Sequence, residues 1–477
     1  MFMFLVTTLG CTPADKLEAT KDVRIDAAAN KVESTMPRSC MNEDERLFVV
    51  WQDERDKVPA IWFNMSSDGG ATFLGSDTLL SHGKVEAANP AIACAGDFVY
   101  VVWEDKRDGE LDYQNIYLQY SDDAGRHWQE EDIALDADPE GDFISLAPSI
   151  AAAGDSAWVA WSDDVNGAYD IYMNRTGTGG RDWLDAPLRI DGDEAGAAFS
   201  ANPRVEGDND GRVVVAWEDR RNGNSDIYGN ASTDGGKSFP AEDRRLDGGD
   251  EPGAANSFSP QIAMSGDNVY VVWQDERFGA NADILMNYSH TAGDGWRDEA
   301  MRVESDAEGI ADSRNADVAA NGDQVWVAFQ DDRTGGGYDI FLRWSDDAGS
   351  SWVSESETRM ETDDNGAAQS YHPTIAIRGD IWGVAWQDYR DDLAGVGFND
   401  IYYQYSVNAG GDWQVSDVRV NSTAPATSYA VDVGFYLMQD TAVTVWADGR
   451  FGSGDIFAAG RALGTQSVYL VADEASK

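Results

Sequence analysis

Apolar and polar positions along this chain repeat as a unit. A hydrophobic run ending in Trp-x-Asp recurs at Trp51, Trp103, Trp161, Trp217, Trp273, Trp386 and Trp446, and with Phe329 in place of Trp. The successive spacings are 52, 58, 56, 56, 56, 57 and 60 residues. Eight copies at a nearly fixed period indicate a repeat architecture. Each copy opens on a segment such as NPAIA (89–93) or SPQIA (259–263), usually followed by a Gly-Asp turn. A β-branched and aromatic run such as VYVVW comes next. An Asp-x-Arg-x-Gly loop then leads to a third run, such as DIYMN or DIYYQY. A second turn leads to a fourth run, such as LRID (188–191), MRVE (301–304) or VRVN (418–421). Short β-rich runs between Gly/Asp turns predict strands and hairpins. No segment shows sustained helical periodicity. The pattern predicts an all-β chain: a single eight-bladed β-propeller of four-stranded antiparallel blades.

The ends of the chain bear on closure. VRID (23–26) precedes the first copy and reads as an orphan fourth strand, expected to complete blade eight and tie the termini together. SVYLVAD (467–473) competes for that place. The expected division is a signal or lipoprotein-type segment over 1–11, a linker over 12–22, the propeller over 23–465 and a tail over 466–477.

Charge narrows the partners. Asp and Glu number 86 against 35 Lys and Arg, a formal net charge of −51. Phosphate binding needs a basic face, so nucleic acid is excluded as an expected partner. An anionic membrane surface is excluded on the same ground, leaving a lipid anchor as the one expected membrane link. A heavily charged surface keeps a protein soluble and monomeric. Only eight of the basic residues are Lys, and acid-rich, Lys-poor usage also suits a salty habitat.

The first residues, MFMFLVTTLGC, are apolar or small up to Cys11. They resemble a bacterial lipoprotein signal, which implies export and lipidation of Cys11. The segment lacks a positive start, and Leu9 sits one place closer to the cysteine than the usual pattern has it. With Cys11 lipidated, Cys40 and Cys94 remain, either as a disulfide in an oxidising compartment or as two buried thiols.

The second turn carries a signature. SSDGGATF (66–73), SDDAGRHW (121–128), STDGGKSF (232–239) and SDDAGSSW (345–352) fit Ser-x-Asp-x-Gly-x-x-Trp/Phe. Thr178, Thr291 and Asn408 replace the Asp in three further copies. These turns resemble the Asp-box, or BNR, repeats of the sialidase-like superfamily, over roughly residues 23–465. A short Asp side chain accepts from the turn's own N–H groups, and the aromatic packs on the blade. The resemblance implies that the boxes lie opposite the ligand face, so Asp68, Asp123, Asp234 and Asp347 are expected to be structural.

The other face holds the Asp-x-Arg-x-Gly loops and the links between blades. Its Asp is present in all eight copies: Asp53, Asp105, Asp163, Asp219, Asp275, Asp331, Asp388 and Asp448. The Arg is present in seven: Arg55, Arg107, Arg221, Arg277, Arg333, Arg390 and Arg450, with Val165 in copy three. A further acid precedes the third strand at Asp170, Asp226, Asp283, Asp339, Asp400 and Asp455, whereas copies one and two have Ala60 and Asn115. Eight equivalent sets in a ring cannot all serve one substrate. An Arg fork held between carboxylates makes a good loop clamp, and ligand contact by Arg107, Arg221, Arg277, Arg333 or Arg390 is the rival reading. No cofactor is expected. Calcium between paired Asp groups is the weaker alternative, opposed by the nearby Arg and unsupported by EF-hand spacing.

A Ser lies in the links at Ser34, Ser145, Ser200, Ser257, Ser313, Ser370 and Ser428, with Ala87 the exception; it is expected to bond the repeated Asp. Non-repeating residues remain: Phe143, Phe199, Phe258, Tyr371, His372 and Tyr429. They either stack on a ligand around the channel mouth or pack between blades. A sialidase needs three converging arginines, a Tyr–Glu pair and an acid, usually with an Arg-Ile-Pro segment. That segment is absent, and eight blades depart from the usual six. Fold alone does not carry function. The leading expectation is an exported, lipid-anchored propeller that binds a glycan or an extracellular protein without chemistry of its own. The alternatives are an exo-acting glycoside hydrolase of sialidase type and a purely structural surface protein.

Overall fold

The computed structural model describes residues 22–27, 33–107, 113–136, 142–392, 395, 397–422, 429–451 and 454–463. Among them every regular element is a strand, and the strands form eight four-stranded antiparallel sheets. In blade 1 the strands are Ser34–Met41, Leu47–Asp53, Ala60–Ser66 and Thr78–Leu79. In blade 5 they are Ser257–Ser265, Asn268–Asp275, Asp283–Ser289 and Met301–Arg302. The fold is the eight-bladed β-propeller read from the repeat. First strands of neighbouring blades touch around the ring, including blade 8 on blade 1.

Blade 8 takes Ala430–Leu437, Thr441–Asp448 and Asp455–Ala462 from the end of the chain and Val23–Arg24 from its start. Val23 faces Ala458 and Arg24 faces Phe457. VRID is therefore the closing strand. SVYLVAD, the tail and the whole segment through Cys11 lie outside the described residues. No helix among the described residues is long and apolar enough to cross a membrane.

Second strands are buried along their length, as in Val213–Asp219. Neighbouring blades cover both of their faces, so a continuous apolar run replaces the alternation of a half-exposed strand. The core is accordingly eight clusters, one at each blade–blade interface. Trp103 with Phe63 belongs to the interface of blades 1 and 2, and Trp446 with Tyr403 to that of blades 7 and 8.

The boxes staple these interfaces. Ser121 Oγ donates to Asp123 Oδ1 at 2.9 Å and accepts from Gly125 N at 2.9 Å, while Asp123 accepts from His127 N at 2.9 Å. In Asp234, hydroxyl bonds from Ser238 and Ser232 hold the carboxyl below the ordinary range. The hydroxyls of Thr178 and Thr291 stand 3.2 Å from those of Thr176 and Ser289, a weaker version of the same turn. Each box aromatic packs into the interface with the preceding blade: Trp128 against blade 1, Trp183 against blade 2, Trp352 against blade 5. Cys40 and Cys94 are disulfide-bonded, Cα–Cα 6.1 Å, across the first strands of blades 1 and 2.

Candidate functional site at the channel mouth

The repeated Trp-x-Asp has a direct physical reading. Residues i and i+2 of a strand share a face, so Trp103 Nε1 donates to Asp105 at 2.9 Å and Trp273 Nε1 to Asp275 at 2.9 Å. The same carboxylate takes the link serine: Ser34 to Asp53 at 3.0 Å, Ser145 to Asp163 at 2.9 Å and Ser313 to Asp331 at 2.7 Å. Ser200, Ser257 and Ser370 make the same bond. Blade 8 differs among the described residues: Ala430 pairs with Asp448, and Ser428 lies outside them; in blade 2 Ala87 takes the serine's place.

The loop arginines complete the cluster, each on the repeated Asp of its own blade. Arg107 reaches Asp132 at 2.6 Å as well as Asp105, and its guanidinium lies 3.9 Å over Tyr117. Arg221 bridges Asp219 and Asp243 over Tyr228, and Arg333 bridges Asp331 and Glu357 over Phe341. Arg390 joins Asp388 to Asp417 over Tyr402; Arg55 and Arg450 repeat the pattern with Asp77 and Asp22. In blade 5, Ala300 stands where the second acid would be, and Arg277 donates to the carbonyls of Asp247 and Gly248 instead. The second carboxylate is thus the residue entering the fourth strand. Blade 3 lacks the arginine, and there desolvation pushes the Asp163 carboxyl up. The structure does not bring these arginines together.

The acid before the third strand has a different partner, an arginine on the fourth strand. Arg302 reaches Asp283 at 2.6 Å, Arg359 reaches Asp339 at 2.7 Å and Arg419 reaches Asp400 at 2.7 Å. Arg189–Asp170, Arg245–Asp226 and Arg24–Asp455 repeat it. The same carboxylates fix the links, as Gly309 N donates to Asp283 and Gly366 N to Asp339. Among the described residues three acidic groups gather here, around Asp191, Glu304 and Glu361. Each has an arginine among the carboxylates, so each reads as a latch.

The link aromatics divide. Tyr371 and His372 come together, with ring centroids 6.4 Å apart, and Tyr371 meets Tyr338 at 5.6 Å and Tyr389 at 5.7 Å. Phe199 packs edge-on to Tyr169 at 5.4 Å beneath Arg220. Phe143 and Tyr429 are partly exposed in their own links, and Phe258 is half-buried.

Sequence reading missed the inner wall of the channel. Every first strand carries a β-bulge, such as that between Thr35 and Arg38 or between Ala201 and Arg204. Eight non-glycine residues at these bulges are left-handed, with φ between 50° and 57°: Met36, Asn89, Ala147, Asn202, Ser259, Asn315, His372 and Asp432. Asn, Asp and His tolerate this region best, and each case costs on the order of 1 kcal/mol. In three blades the residue after the repeated Trp or Phe holds the bulges. Glu104 accepts from Asn89 Nδ2 and from Ala147 N of the next blade, both at 2.8 Å. Glu218 and Gln330 do the same for Asn202 with Ser259 and for Asn315 with His372. A bulge re-aims side chains, and here it turns one residue per blade toward the channel: Arg38, Ala91, Ser149, Arg204, Gln261, Asp317, Thr374 and, with no side chain, Gly434. No two neighbours in that ring are alike. The signal was present, since the residue after the repeated Pro varies where its neighbours recur.

The channel holds two adjoining cavities of about 650 and 530 Å³, sharing Arg38, Ser39 and Arg204. The larger also takes in His372, whose ring is open to the cavity while desolvation keeps its pKa below the ordinary value. Desolvation raises the carboxyl of Asp317 to about 6 and that of Glu206, further down the same wall, to about 7.

No family model matches this chain, and no curated protein does. Solved structures of similar architecture include the polysaccharide lyase Uly1, at 11% identity and TM-score 0.48 over 78% of this chain and 90% of that one. An α-L-arabinofuranosidase from Fusarium graminearum is 12% identical, TM-score 0.42, over 81% and 98%. A Penicillium chrysogenum α-L-arabinanase is 15% identical, TM-score 0.40, over 65% and 93%. These are likenesses of fold.

Proposed function

We propose that this propeller is an extracytoplasmic carbohydrate-binding module with no chemistry of its own, and that its ligand sits at the channel mouth on the link face. The observation that carries the reading is the separation of repeated from unrepeated side chains. The repeated Asp, Ser and Arg groups are each engaged within their own blade or by the link that enters it. The unrepeated ones on the bulges, His372 among them, border two adjoining polar cavities, and the Tyr338–Tyr371–Tyr389 group stands next to His372. Aromatic faces beside convergent polar groups suit a sugar ring. Kinship with the sialidase-like superfamily goes with the four full boxes. The Cys40–Cys94 bond fits an oxidising compartment, and lipidation of Cys11 would tether the module to a membrane.

Binding of a panel of fluorescent oligosaccharides tests the reading. Retention of at least one glycan, weakened about tenfold by Tyr371→Ala with melting temperature unchanged, is the expected result; tenfold corresponds to ~1.4 kcal/mol. Release of fluorophore from a sialoside would make the protein a hydrolase instead. Retention of no glycan would leave the scaffold reading.

A further inference from the structure

We infer that Arg38 and Arg204 form an oxyanion site inside the channel, which takes the carboxylate or sulfate of an acidic sugar. The sugar part of this inference rests on the carbohydrate reading above; the anion part does not.

The two arginines occupy the same bulge position in blades 1 and 4. The two blades between them present Ala91 and Ser149, which are short. The cavity of about 530 Å³ lies over those short residues, with a guanidinium on either side. The larger cavity continues from the same two arginines toward His372 and Thr374. Any ligand threading the channel therefore meets both charges.

Their bonding differs from that of every loop arginine. Arg204 donates to the Pro203 carbonyl at 3.0 Å and to Gln261 Oε1 at 3.3 Å, both neutral acceptors. Among the described residues it has no carboxylate within 4 Å. Arg38 donates to the Pro37 carbonyl at 2.9 Å, and its nearest carboxylate, Asp432, stands 3.6 Å away at the exposed mouth. The loop arginines, by contrast, each contact at least one buried carboxylate directly. This chain has 86 acidic residues, yet it leaves two arginines lining the same cavities without a carboxylate hydrogen-bonded to either. Desolvation, with the charge of Arg38 added, holds the Arg204 pKa below its ordinary value. A charge partly withdrawn from water and without a partner of opposite charge in direct contact is costly. An oxyanion bridging the two would supply that partner through charge-assisted bonds, which are the strong ones.

The test is calorimetry on the full chain with methyl glucuronide, glucose 6-sulfate, neutral methyl glucoside and inorganic sulfate. The expected result is binding of both acidic sugars, about tenfold or more above the neutral one, as one charge-assisted bond supplies. The ratio between the two acids identifies the preferred oxyanion. Arg204→Gln and Arg38→Gln should each remove that preference, and Arg204→Lys should restore part of it. Tyr371→Ala should weaken acidic and neutral sugars alike. Arg38 is half-exposed, so its variant reports even where Arg204→Gln lowers the melting temperature. Equal binding of neutral and acidic sugars, unchanged in both variants, overturns the anion site and leaves the carbohydrate reading standing. Binding of sulfate but of no sugar keeps the anion site and overturns the carbohydrate reading. No heat with any anion overturns the inference.

Discussion

Blades 1 and 2 differ from blades 3 to 8 in one piece of hardware. In the latter six, a fourth-strand arginine latches the acid that opens the third strand, and in four of them that acid also holds the link by a glycine N–H. Blade 1 has Ala60 and Leu79 at the two positions, and blade 2 has Asn115 and Ala134. Both partners are missing together, which marks them as a unit. The two blades without the latch are the two joined by Cys40–Cys94. A covalent tie stands where the electrostatic one is absent, and it acts on the inner strands rather than the outer.

That contrast is sharpest if the disulfide is removed. It closes a separation of 54 residues, for which restriction of the unfolded chain predicts a contribution of roughly 4 kcal/mol. Cys40→Ser with Cys94→Ser should lower stability by that order in guanidinium denaturation. A loss under about 1 kcal/mol would mean that blades 1 and 2 are held by packing alone. The next effect lies in the other six blades. Arg302 contacts Asp283, Glu304 and Asp306, and desolvation already holds Glu304 well above the ordinary carboxyl range. Arg302→Ala strands those buried acids and should cost about 3 kcal/mol, read by the same denaturation. Leu79→Ala, at the matching place in blade 1, should cost about 1 kcal/mol or less, the scale of a partly buried methylene or two.

The latches should also make the protein sensitive to pH. Desolvation, helped by the neighbouring Asp170, raises Asp191 to about 7. Asp455 rises to about 6 through desolvation and Asp26, and Asp247 is raised by desolvation and Asp226. A carboxyl raised on folding gives the folded state more bound protons than the unfolded chain between about pH 4 and 7, so stability falls as pH rises through that window. The melting temperature should be higher at pH 5 than at pH 8, and Asp191→Asn should shrink the difference. All three acids lie in latched blades. An equal shrinkage from a neutralising change in blade 1, such as Glu86→Gln, would assign the effect to net charge instead.

The period of Trp-x-Asp is enough to read the blades and the closing role of VRID from the chain alone. Serine and aspartate can be paired because both recur at constant offsets. The spacing lengthens before Trp446 in blade 8, where Ala430 is the residue paired with Asp448. The bulges are hidden in the sequence for a physical reason. One extra residue in a strand flips the side chains beyond it, yet NPRV and SPQI still read as plain strand. Only the left-handed backbone of Asn202 or Ser259 reveals where the flip falls. Arg38 and Arg204 therefore pass as surface arginines, while Arg107 or Arg221 draws attention by repetition. The latch is legible in principle. Ala60 with Leu79 and Asn115 with Ala134 are two copies in which both partners change at once.

The smallest expected effect tests whether the latch is portable. Ala60 and Leu79 flank the same strand pairing that Asp283 and Arg302 flank in blade 5. In a chain lacking the disulfide, Ala60→Asp alone should destabilise, because a partly buried carboxylate gains no partner. Leu79→Arg alone should cost the packing of the leucine. Together they should recover part of both losses, a coupling of about 1 kcal/mol in a double-mutant cycle. The gain is small because the first link is already anchored from the next blade: Asp132 accepts from His82 N at 2.8 Å and contacts its ring at 2.7 Å. A latch added there has little loose chain left to order. Zero coupling, with both single variants folded, would show that the latch works only through the link glycine, which blade 1 does not place against residue 60.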